Sequence, residues 1–245
     1  MATMPGGDRG PILVVDDDAK ILRLVRVYLE REGFRVIEAQ DGRAALAAIS
    51  LEAPALVILD LMLPEVDGLA VLRAVRRTDR TPIIILSALG STDERISGLA
   101  AGADDYVPKP FSPAELVLRV KRVLDRASGP GGQAQDKGPL QHGDLVVDRD
   151  RHEVRVADRD IPLTAVEFRL LAAILEAGGR VLSRDRLLDL VYGSEGLDIL
   201  DRTIDVHVRR LRDKLGDDPN RPRYVATVRG VGYRAASAGP GGERS

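Results

Sequence analysis

Polar residues that follow short apolar runs are the part of this sequence best suited to chemistry. They are three adjacent aspartates, a lone aspartate, a serine and a lysine: Asp16, Asp17, Asp18, Asp60, Ser87 and Lys109. Carboxylates held close together repel one another, and a divalent cation relieves that repulsion. Oxygen ligands without His or Cys favour a hard ion such as Mg²⁺. We therefore predict a Mg²⁺ site wherever the fold brings these aspartates together.

The same residue types suit phosphoryl transfer. An aspartate beside a bound Mg²⁺ can attack phosphorus and become an acyl phosphate. Lys109 would then neutralise one phosphoryl oxygen, and the Ser87 hydroxyl would hydrogen-bond another. The structural alternative is that Asp16 to Asp18 cap a helix. A cap explains Asp18 well, but it explains three aspartates poorly and Asp60 not at all, so we favour a phosphorylation site.

The elements that would position these residues alternate along the first half of the chain. Short apolar runs are separated by segments with helical spacing, as at Ile21, Leu22, Val25 and Leu29, where Gly33 stands in the C-cap position. This pattern predicts a doubly wound α/β fold whose five-stranded parallel sheet is covered on both faces. Ligands of such sheets lie beyond the carboxyl ends of the strands. The apolar runs occupy residues 12–16, 35–39, 56–60, 82–87 and 105–109.

A break in composition divides the chain. Residues 128–139, SGPGGQAQDKGP, are rich in Gly, Pro and Gln and predict a flexible linker between domains at 11–127 and 140–236. The sequence has no cysteine and a net charge of −2, so disulfides and thiolate metal sites are excluded and any nucleic-acid surface must be local. No run approaches the roughly 18 apolar residues of a membrane span. We expect a soluble, cytoplasmic protein without a membrane partner.

The second domain contains one informative helix, DRTIDVHVRRLRDKL. Ile204, Val208, Leu211 and Leu215 form one apolar stripe along it. Residues 202–214 carry five basic and two acidic side chains, a local charge of +3. A buried stripe with a basic opposite face suits a helix in a DNA major groove, although such faces are also common solvated surfaces.

The segment YVATVRGVGYRA, which follows that helix, predicts a β-hairpin. Apolar alternation flanks its central GVG. Arg229 lies near the hairpin tip, where it could enter a minor groove.

Four motifs of the first domain resemble the receiver domain of bacterial two-component response regulators. They are VVDDD, LVILDLMLPEVDG, ILSA and KPF, in that order and spacing. The resemblance implies a flavodoxin-like fold with Asp60 as the phosphoacceptor, and a cis bond between Lys109 and Pro110. It also implies that Ser87 and Lys109 bind phosphate, and that Mg²⁺ is held by Asp16, Asp17, Asp60 and the backbone carbonyl of Met62.

The same resemblance implies a switch and a dimer. Ser87 would shift and Tyr106 would turn inward after phosphorylation, although an ordinary half-buried tyrosine is the alternative. Two copies would pair through the fourth of five predicted helices, the fifth strand and the fifth helix. The reciprocal pairs would be Arg95 with Glu115 and Asp105 with Arg119, in place of a merely solvated face.

The segments RTIDVHVRRLRDKL and TVRGVGYR resemble the DNA-binding domain of OmpR/PhoB-type regulators. That domain is an α+β winged helix-turn-helix preceded by a small antiparallel sheet. His207 is a backbone-phosphate or packing residue rather than a metal ligand, because no second ligand lies nearby. In the family, the loop equivalent to 192–201 can contact RNA polymerase; here its acids could simply aid solubility. The implied DNA contacts are Arg202, Val206, His207, Arg209, Arg210, Thr227 and Arg229.

Together these features predict a phosphorylation-controlled transcription factor. A sensor histidine kinase would phosphorylate it, and the homodimer would bind promoter DNA. The protein would assist its own phosphorylation and dephosphorylation without being a metabolic enzyme. One alternative is a Mg²⁺-dependent phosphatase that forms an aspartyl-phosphate, but Asp60 lacks a second acid two residues on, where Met62 stands. Another is a DNA binder that ignores phosphate.

Overall fold

The computed structural model describes residues 10–78, 80–88, 97–99, 101–127, 138–192 and 202–237, apart from the side chains of Thr78 and Arg202. The chain divides into two compact units, Met1–Ala127 and Ser128–Ser245. All but the last two residues of the predicted linker, and Arg95, fall outside the described ranges. Within those ranges, no helix combines the length and the apolar character needed to cross a bilayer.

The first unit is built on a five-stranded sheet in the order β2-β1-β3-β4-β5, with every neighbouring pair parallel. This confirms the predicted doubly wound fold, and the strand order is the flavodoxin-like one. Its elements are β1 (Ile12–Val15), α1 (Ala19–Arg31), β2 (Val36–Ala39), α2 (Gly42–Glu52), β3 (Leu56–Leu59), α3 (Gly68–Thr78), β4 (Ile83–Ser87), β5 (Asp105–Pro108) and α4 (Pro113–Ala127).

The central strands are buried along their whole length because helices cover both faces of the sheet. Every residue of β1, β3 and β4 is buried. Helices α1 and α4 share one apolar cluster with the sheet, and the predicted stripe Leu22, Val25 and Leu29 lies inside it. Asp18 caps α1 as predicted, because its side chain accepts a hydrogen bond from the backbone nitrogen of Lys20.

The described residues of the second unit form two antiparallel sheets and three helices. The sheets have the orders β6-β7-β8-β9 and β10-β12-β11, so the predicted small sheet and terminal hairpin are both present. The elements are β6 (Leu140–His142), β7 (Leu145–Asp148), β8 (Glu153–Val156), β9 (Arg159–Asp160), α5 (Ala165–Glu176), β10 (Leu182–Ser183), α6 (Arg184–Tyr192), α7 (Arg202–Leu215), β11 (Val225–Val228) and β12 (Gly232–Ala235).

Helix α7 is packed by the stripe that its spacing predicts. Ile204, Val208, Leu211 and Leu215 are all buried. The hairpin β11–β12 reaches β10 so closely that a Cβ on Gly232 would lie 1.9 Å from the carbonyl oxygen of Leu182. Only a glycine fits there, so Gly232 of the GVG segment sets how closely the hairpin packs against β10.

Candidate functional site

Three carboxylates meet at the carboxyl edge of the first sheet. Asp16 follows β1 and Asp60 follows β3, and these strands are neighbours with Val15 opposite Leu59. Oxygen atoms of Asp16, Asp17 and Asp60 all lie within 4.8 Å of one another. Asp16 and Asp60 are buried, whereas Asp17 is exposed. The topology therefore brings together the acids that the sequence separates by more than 40 residues.

Lys109 connects two of these acids. Its Nζ lies 2.6 Å from Asp16 Oδ2 and 2.6 Å from Asp60 Oδ2. Its backbone nitrogen donates to the carbonyl oxygen of Ser87 at 2.9 Å, which fixes the residue after β5 beside the end of β4. The predicted cis bond between Lys109 and Pro110 is present.

Burial and charge act in opposite directions at this edge. Burial raises the pKa of the Asp16 carboxyl, although the hydrogen bond from Lys109 opposes the rise. Burial alone would lower the pKa of Lys109, but the hydrogen bonds and charges of Asp16 and Asp60 outweigh it and the pKa is raised. Lys109 is therefore a protonated cation at neutral pH.

Backbone groups hold the two buried carboxylates in place. Asp16 Oδ1 accepts from the nitrogen of Asp18 at 3.0 Å, and Asp60 Oδ1 accepts from the nitrogen of Met62 at 2.9 Å. The loop after Asp60 folds back so tightly that a Cβ on Gly68 would lie 2.2 Å from the Asp60 carbonyl oxygen. The glycine thus permits the backbone conformation that presents Asp60.

The donor set fits a hard divalent cation. All three side chains offer oxygen, and the exposed Asp17 leaves the cluster open to solvent. Mg²⁺ favours such sites, where it keeps water or phosphate oxygens among its ligands. The identity of the ion and the ligation by the Met62 carbonyl stay predictions.

The two predicted switch residues are buried near this edge. Ser87, the last residue of β4, is buried, and Tyr106 on β5 is only 2 % exposed. Tyr106 lies opposite Ile85 in the parallel register of β4 and β5. The tyrosine side chain is thus already inside the unit, and the half-buried alternative does not describe it. A movement of either residue stays a prediction.

The described residues of the predicted dimer contacts, Asp105, Glu115 and Arg119, pair with one another within a single chain. Arg119 Nη1 lies 3.1 Å from Asp105 Oδ2, and Arg119 Nη2 lies 2.9 Å from Glu115 Oε1. Arg95 is outside the described residues. Arg119 would have to exchange or share a partner in the predicted dimer, which stays untested.

The second unit presents most of the predicted DNA contacts on two neighbouring elements. On α7, Arg209 is exposed, and Val206 and Arg210 are partly exposed. On the hairpin, Thr227 and Arg229 are exposed. The side chain of Arg202 and the loop residues 193–201 are outside the described part of the chain.

His207 is the predicted DNA contact that the structure corrects. It is 1 % exposed, and its Nε2 lies 2.6 Å from the Tyr192 hydroxyl oxygen. Burial, assisted by the positive charges of Arg210 and Arg169, lowers its pKa to about 3. His207 lies on the inner side of α7 and is therefore a neutral packing residue. Of the two roles that the sequence allowed, phosphate contact and packing, the structure supports packing.

Two of the five basic residues counted on α7 also face inward. Arg212 donates to the carbonyl oxygen of Val225 at 2.7 Å and to Thr227 Oγ1 at 2.8 Å. Lys214 Nζ lies 2.6 Å from Oε2 of Glu167, a buried residue of α5. The local charge of +3 therefore overstates the positive charge that α7 presents to solvent.

A polar seam joins α6, α7 and β12, and the sequence did not reveal it. Asp205 Oδ1 accepts from Arg184 Nε at 2.8 Å and from the Tyr233 hydroxyl at 2.7 Å. Arg184 also lies over the Tyr233 ring, with Cζ 5.3 Å from the ring centroid. These residues are 21 and 28 positions from Asp205 and share no periodicity, so no local pattern could have found the seam.

Family models match both units. The model described as response regulator receiver domain matches residues 12–121. The model described as transcriptional regulatory protein, C terminal, matches residues 158–235. A receiver domain implies a phosphodonor kinase, and the second model implies DNA binding. The two matches thus account for the carboxylate edge and for the helix and hairpin surface.

Relatives with similar sequences cover nearly the whole chain. The transcriptional regulatory protein ResD of Bacillus subtilis is 44 % identical over 228 residues, which cover 91 % of this chain and 94 % of ResD. A solved RitR mutant is 26 % identical with a TM-score of 0.73, covering 94 % of this chain and 100 % of that one. The response regulator DrrB, an OmpR/PhoB homologue of Thermotoga maritima, is 36 % identical with a TM-score of 0.48 and the same coverage. The chain therefore belongs to the two-component response regulators of the OmpR/PhoB winged-helix family, and it is a response regulator that controls transcription.

Proposed function

We propose that Asp60 accepts a phosphoryl group from a sensor histidine kinase in the cytoplasm, and that phosphorylation lets two receiver units associate. The dimer would bind promoter DNA and contact RNA polymerase. The observation that carries this proposal is the bridge from Lys109 to Asp16 and Asp60, at 2.6 Å to each, with Asp17 as a third acid. A purely structural ion pair does not require three converging carboxylates.

The transfer step follows from the groups at the sheet edge. One carboxylate oxygen of Asp60 attacks phosphorus, and the bond from phosphorus to the histidine nitrogen of the kinase breaks. The electron pair leaves with the imidazole, which takes a proton from solvent. Lys109, held protonated by its two acids, neutralises a phosphoryl oxygen, and the hydroxyl of Ser87 donates to another. Hydrolysis of the same acyl phosphate by water would reset the protein.

The acids that would hold Mg²⁺ are Asp16, Asp17 and Asp60, together with the carbonyl of Met62. When bound, the ion supplies positive charge that offsets the negative charge gathered on the phosphoryl oxygens. The chain contributes orientation, because backbone nitrogens of Asp18 and Met62 fix one oxygen of each buried carboxylate. Preorganised groups of this kind need no rearrangement when the phosphoryl group arrives.

Signal transmission would use the groups that surround the phosphoryl oxygens. Ser87 would move towards the new charge, and Tyr106, buried on the adjacent strand, would follow. The affected surface would include Asp105, Glu115 and Arg119. We assign residues 11–127 to the receiver domain, 128–139 to the linker and 140–236 to the DNA-binding domain.

Acetyl phosphate with Mg²⁺ tests the phosphorylation step directly. Intact-mass spectrometry should show the gain of one phosphoryl group for the unaltered chain and none for Asp60→Asn. Asp67→Asn is a matched control, because Asp67 is an exposed aspartate of the same loop that caps α3; this variant should gain the group. Equal gain by the Asp60 variant would contradict the proposal. Equal promoter affinity with and without the donor would favour a DNA binder that ignores phosphate.

A further inference from the structure

A groove of about 490 Å³ lies between α2 and α3 of the receiver. Pro54 and Thr81, which line it, lie just before β3 and β4. Asp60 follows β3, so the groove is at the opposite edge of the sheet from the carboxylate cluster. Its lining combines the hydroxyls of Ser50 and Thr81 with apolar side chains, among them Leu46 and Ile49 of α2 and Ala74 and Val75 of α3.

A strongly basic stretch forms the rim of this groove on the α3 side. Residues 73–80, RAVRRTDR, carry four arginines and one aspartate, a local charge of +3. Arg76 turns inward, and its Nη2 lies 3.0 Å from Asp104 Oδ2. The other three arginines are exposed and form an arginine row: Arg73, Arg77 and Arg80. The row borders the groove, because its first and last members adjoin Ala74 and Thr81 in the sequence.

The arginine row forms no ion pair with any residue that the structure describes. Asp79 lies outside those residues, and Glu52 at the end of α2 is already paired with Arg35 at 3.5 Å. Arg73 and Arg77 are four residues apart, a spacing at which like charges destabilise a helix. The negative end of α3 favours basic residues in its last turn, which accounts for Arg77 but not for Arg73. The row therefore favours an external anion.

The groove and the arginine row together define the chemistry of a partner. Leu51, which follows Ser50 of the groove, is 83 % exposed, more than any other large apolar side chain described. A partner that covers both features needs apolar side chains beside carboxylates. An amphipathic helix presents them side by side, because residues three and four apart are neighbours, and such helices commonly lie in grooves. DNA has the anionic charge but no apolar side chain for the groove.

We propose that the groove between α2 and α3, with the arginine row along its rim, is a docking surface for an acidic amphipathic helix of a partner protein. The carboxylates of that helix pair with the row, and its apolar side chains enter the groove beside Leu46 and Leu51. The surface shares no residue with the carboxylate cluster or with the predicted dimer contacts. Docking is therefore independent of phosphorylation, and the inference goes beyond the proposed function.

The test selects phage-displayed helical peptides with randomised surface positions for binding to the full, unphosphorylated chain. Peptides that also bind a Ser50→Trp variant are removed. Ser50 is exposed and lines the groove, so the indole fills the groove without disturbing the core. We expect the remaining peptides to be acidic, with apolar residues three or four positions from their acids. One enriched peptide is then measured by fluorescence anisotropy. Replacing all three arginines of the row by glutamine should weaken its binding about tenfold, or roughly two- to threefold per exposed ion pair.

The control removes the same charge from other exposed arginines without an ion pair among the described residues: Arg23→Gln, Arg151→Gln and Arg159→Gln. This triple variant should bind the peptide as tightly as the unaltered chain does. Enriched peptides without an excess of acids, or equal weakening by both triple variants, would overturn the proposal. A library that yields no peptide dependent on the groove would overturn it too, and a loss of duplex DNA affinity in the row variant would then assign the row to nucleic acid. Failure of acetyl phosphate to modify Asp60 would overturn the proposed function and leave this docking surface standing.

Discussion

The carboxyl edge of the receiver and helix α7 of the DNA-binding domain gather charged residues in opposite ways. At the edge, residues that are far apart in sequence converge, as the buried Asp16 and Asp60 and the partly buried Lys109 do. On α7, residues that are close in sequence diverge, because Arg209 faces solvent while Arg212 faces the hairpin. Strand ends in a parallel sheet share one edge by topology, whereas the fate of a helical side chain depends on what packs against it.

The difference has an energetic side. At the edge, two buried carboxylates depend on one lysine, so the pairing is concentrated in a few atoms. Around α7, charges are distributed over several partial contacts, such as those of Asp205 and Arg212. We expect single substitutions to have larger effects at the edge than on the helix.

Lys109→Met should produce the largest effect. It leaves Asp16 and Asp60 buried side by side without a counter-charge, and removal of one partner from a buried ion pair costs about 3–5 kcal/mol. Thermal unfolding in EDTA should show this loss of stability, and added Mg²⁺ should recover part of it because the divalent cation replaces the missing charge. The rate of phosphorylation by acetyl phosphate should also fall by about 100-fold, as for the loss of one donor to a developing negative charge.

Lys121→Met is the control for this prediction. Lys121 Nζ is as close to Glu32, at 2.6 Å, but both side chains are substantially exposed. Exposed pairs contribute about 0–1 kcal/mol, so this variant should lose little stability and should phosphorylate normally. Equal destabilisation by the two lysine variants would contradict the claim that the buried ion pairs of Lys109 contribute more stability than the exposed pair of Lys121 and Glu32.

The second-largest effect should be a loss of stability in acid, caused by the buried histidine of α7, His207. The pKa of His207 is about 3 in the folded chain, against 6.5 for a histidine outside the fold. The unfolded chain therefore binds the proton more tightly. The contribution of His207 to the free energy of unfolding is therefore fully present above pH 6.5 and is lost as the pH drops towards 3. Between pH 7.5 and 5 this residue should cost the DNA-binding domain about 2 kcal/mol, measured by calorimetry of the full chain.

Two variants separate the charge of His207 from its hydrogen bond. Between pH 7.5 and 5, the His207→Gln variant should lose about 2 kcal/mol less stability than the unaltered chain, whatever its stability at neutral pH. Tyr192→Phe should keep the pH dependence, because burial is the main cause of the low pKa. If His207→Gln and the unaltered chain respond to acid in parallel, the histidine is not buried as the structure places it.

Much of the fold followed from patterns that need only local information. Strand burial, the Asp18 cap and the inner stripe of α7 each depend on spacing or on one neighbouring turn. The carboxylate cluster followed from adding one rule of topology, that parallel strands end at the same edge. Those features could be predicted because no competing arrangement of the same residues satisfies the same pattern.

The other features depend on contacts between residues that are far apart in the sequence, and residue spacing does not reveal such contacts. The inward turn of Arg212 depends on a carbonyl of β11, and the seam at Asp205 depends on Arg184 and Tyr233. The strands β9 and β10 have two residues each, too few for a period to appear. Arg119 shows the same limit in the receiver. The family resemblance predicts a partner in another chain, whereas the structure pairs Arg119 with two acids of its own chain.

The smallest predicted effect concerns whether Arg119 keeps its own Asp105 in the dimer or exchanges it. Asp105→Arg and Arg119→Asp should each weaken association of the beryllofluoride-treated chain, since each places like charges opposite one another. Their mixture distinguishes the two arrangements. Pairs between chains would be restored in the mixed dimer, while pairs within each chain would stay repulsive. With about 1 kcal/mol per pair, the mixed dimer should form at least fivefold more tightly than either variant alone in sedimentation velocity.

General attraction between oppositely altered chains must be separated from this exchange. Arg35 and Glu52 form an exposed pair elsewhere on the receiver, at 3.5 Å, so Glu52→Arg mixed with Arg35→Asp carries the same charge changes away from Arg119. That mixture should show no gain. A gain of equal size in both mixtures would reflect net charge alone, and no gain in either would mean that Arg119 retains Asp105. Only a gain confined to the Asp105 and Arg119 variants supports exchange, because the charges then attract solely where the two chains meet.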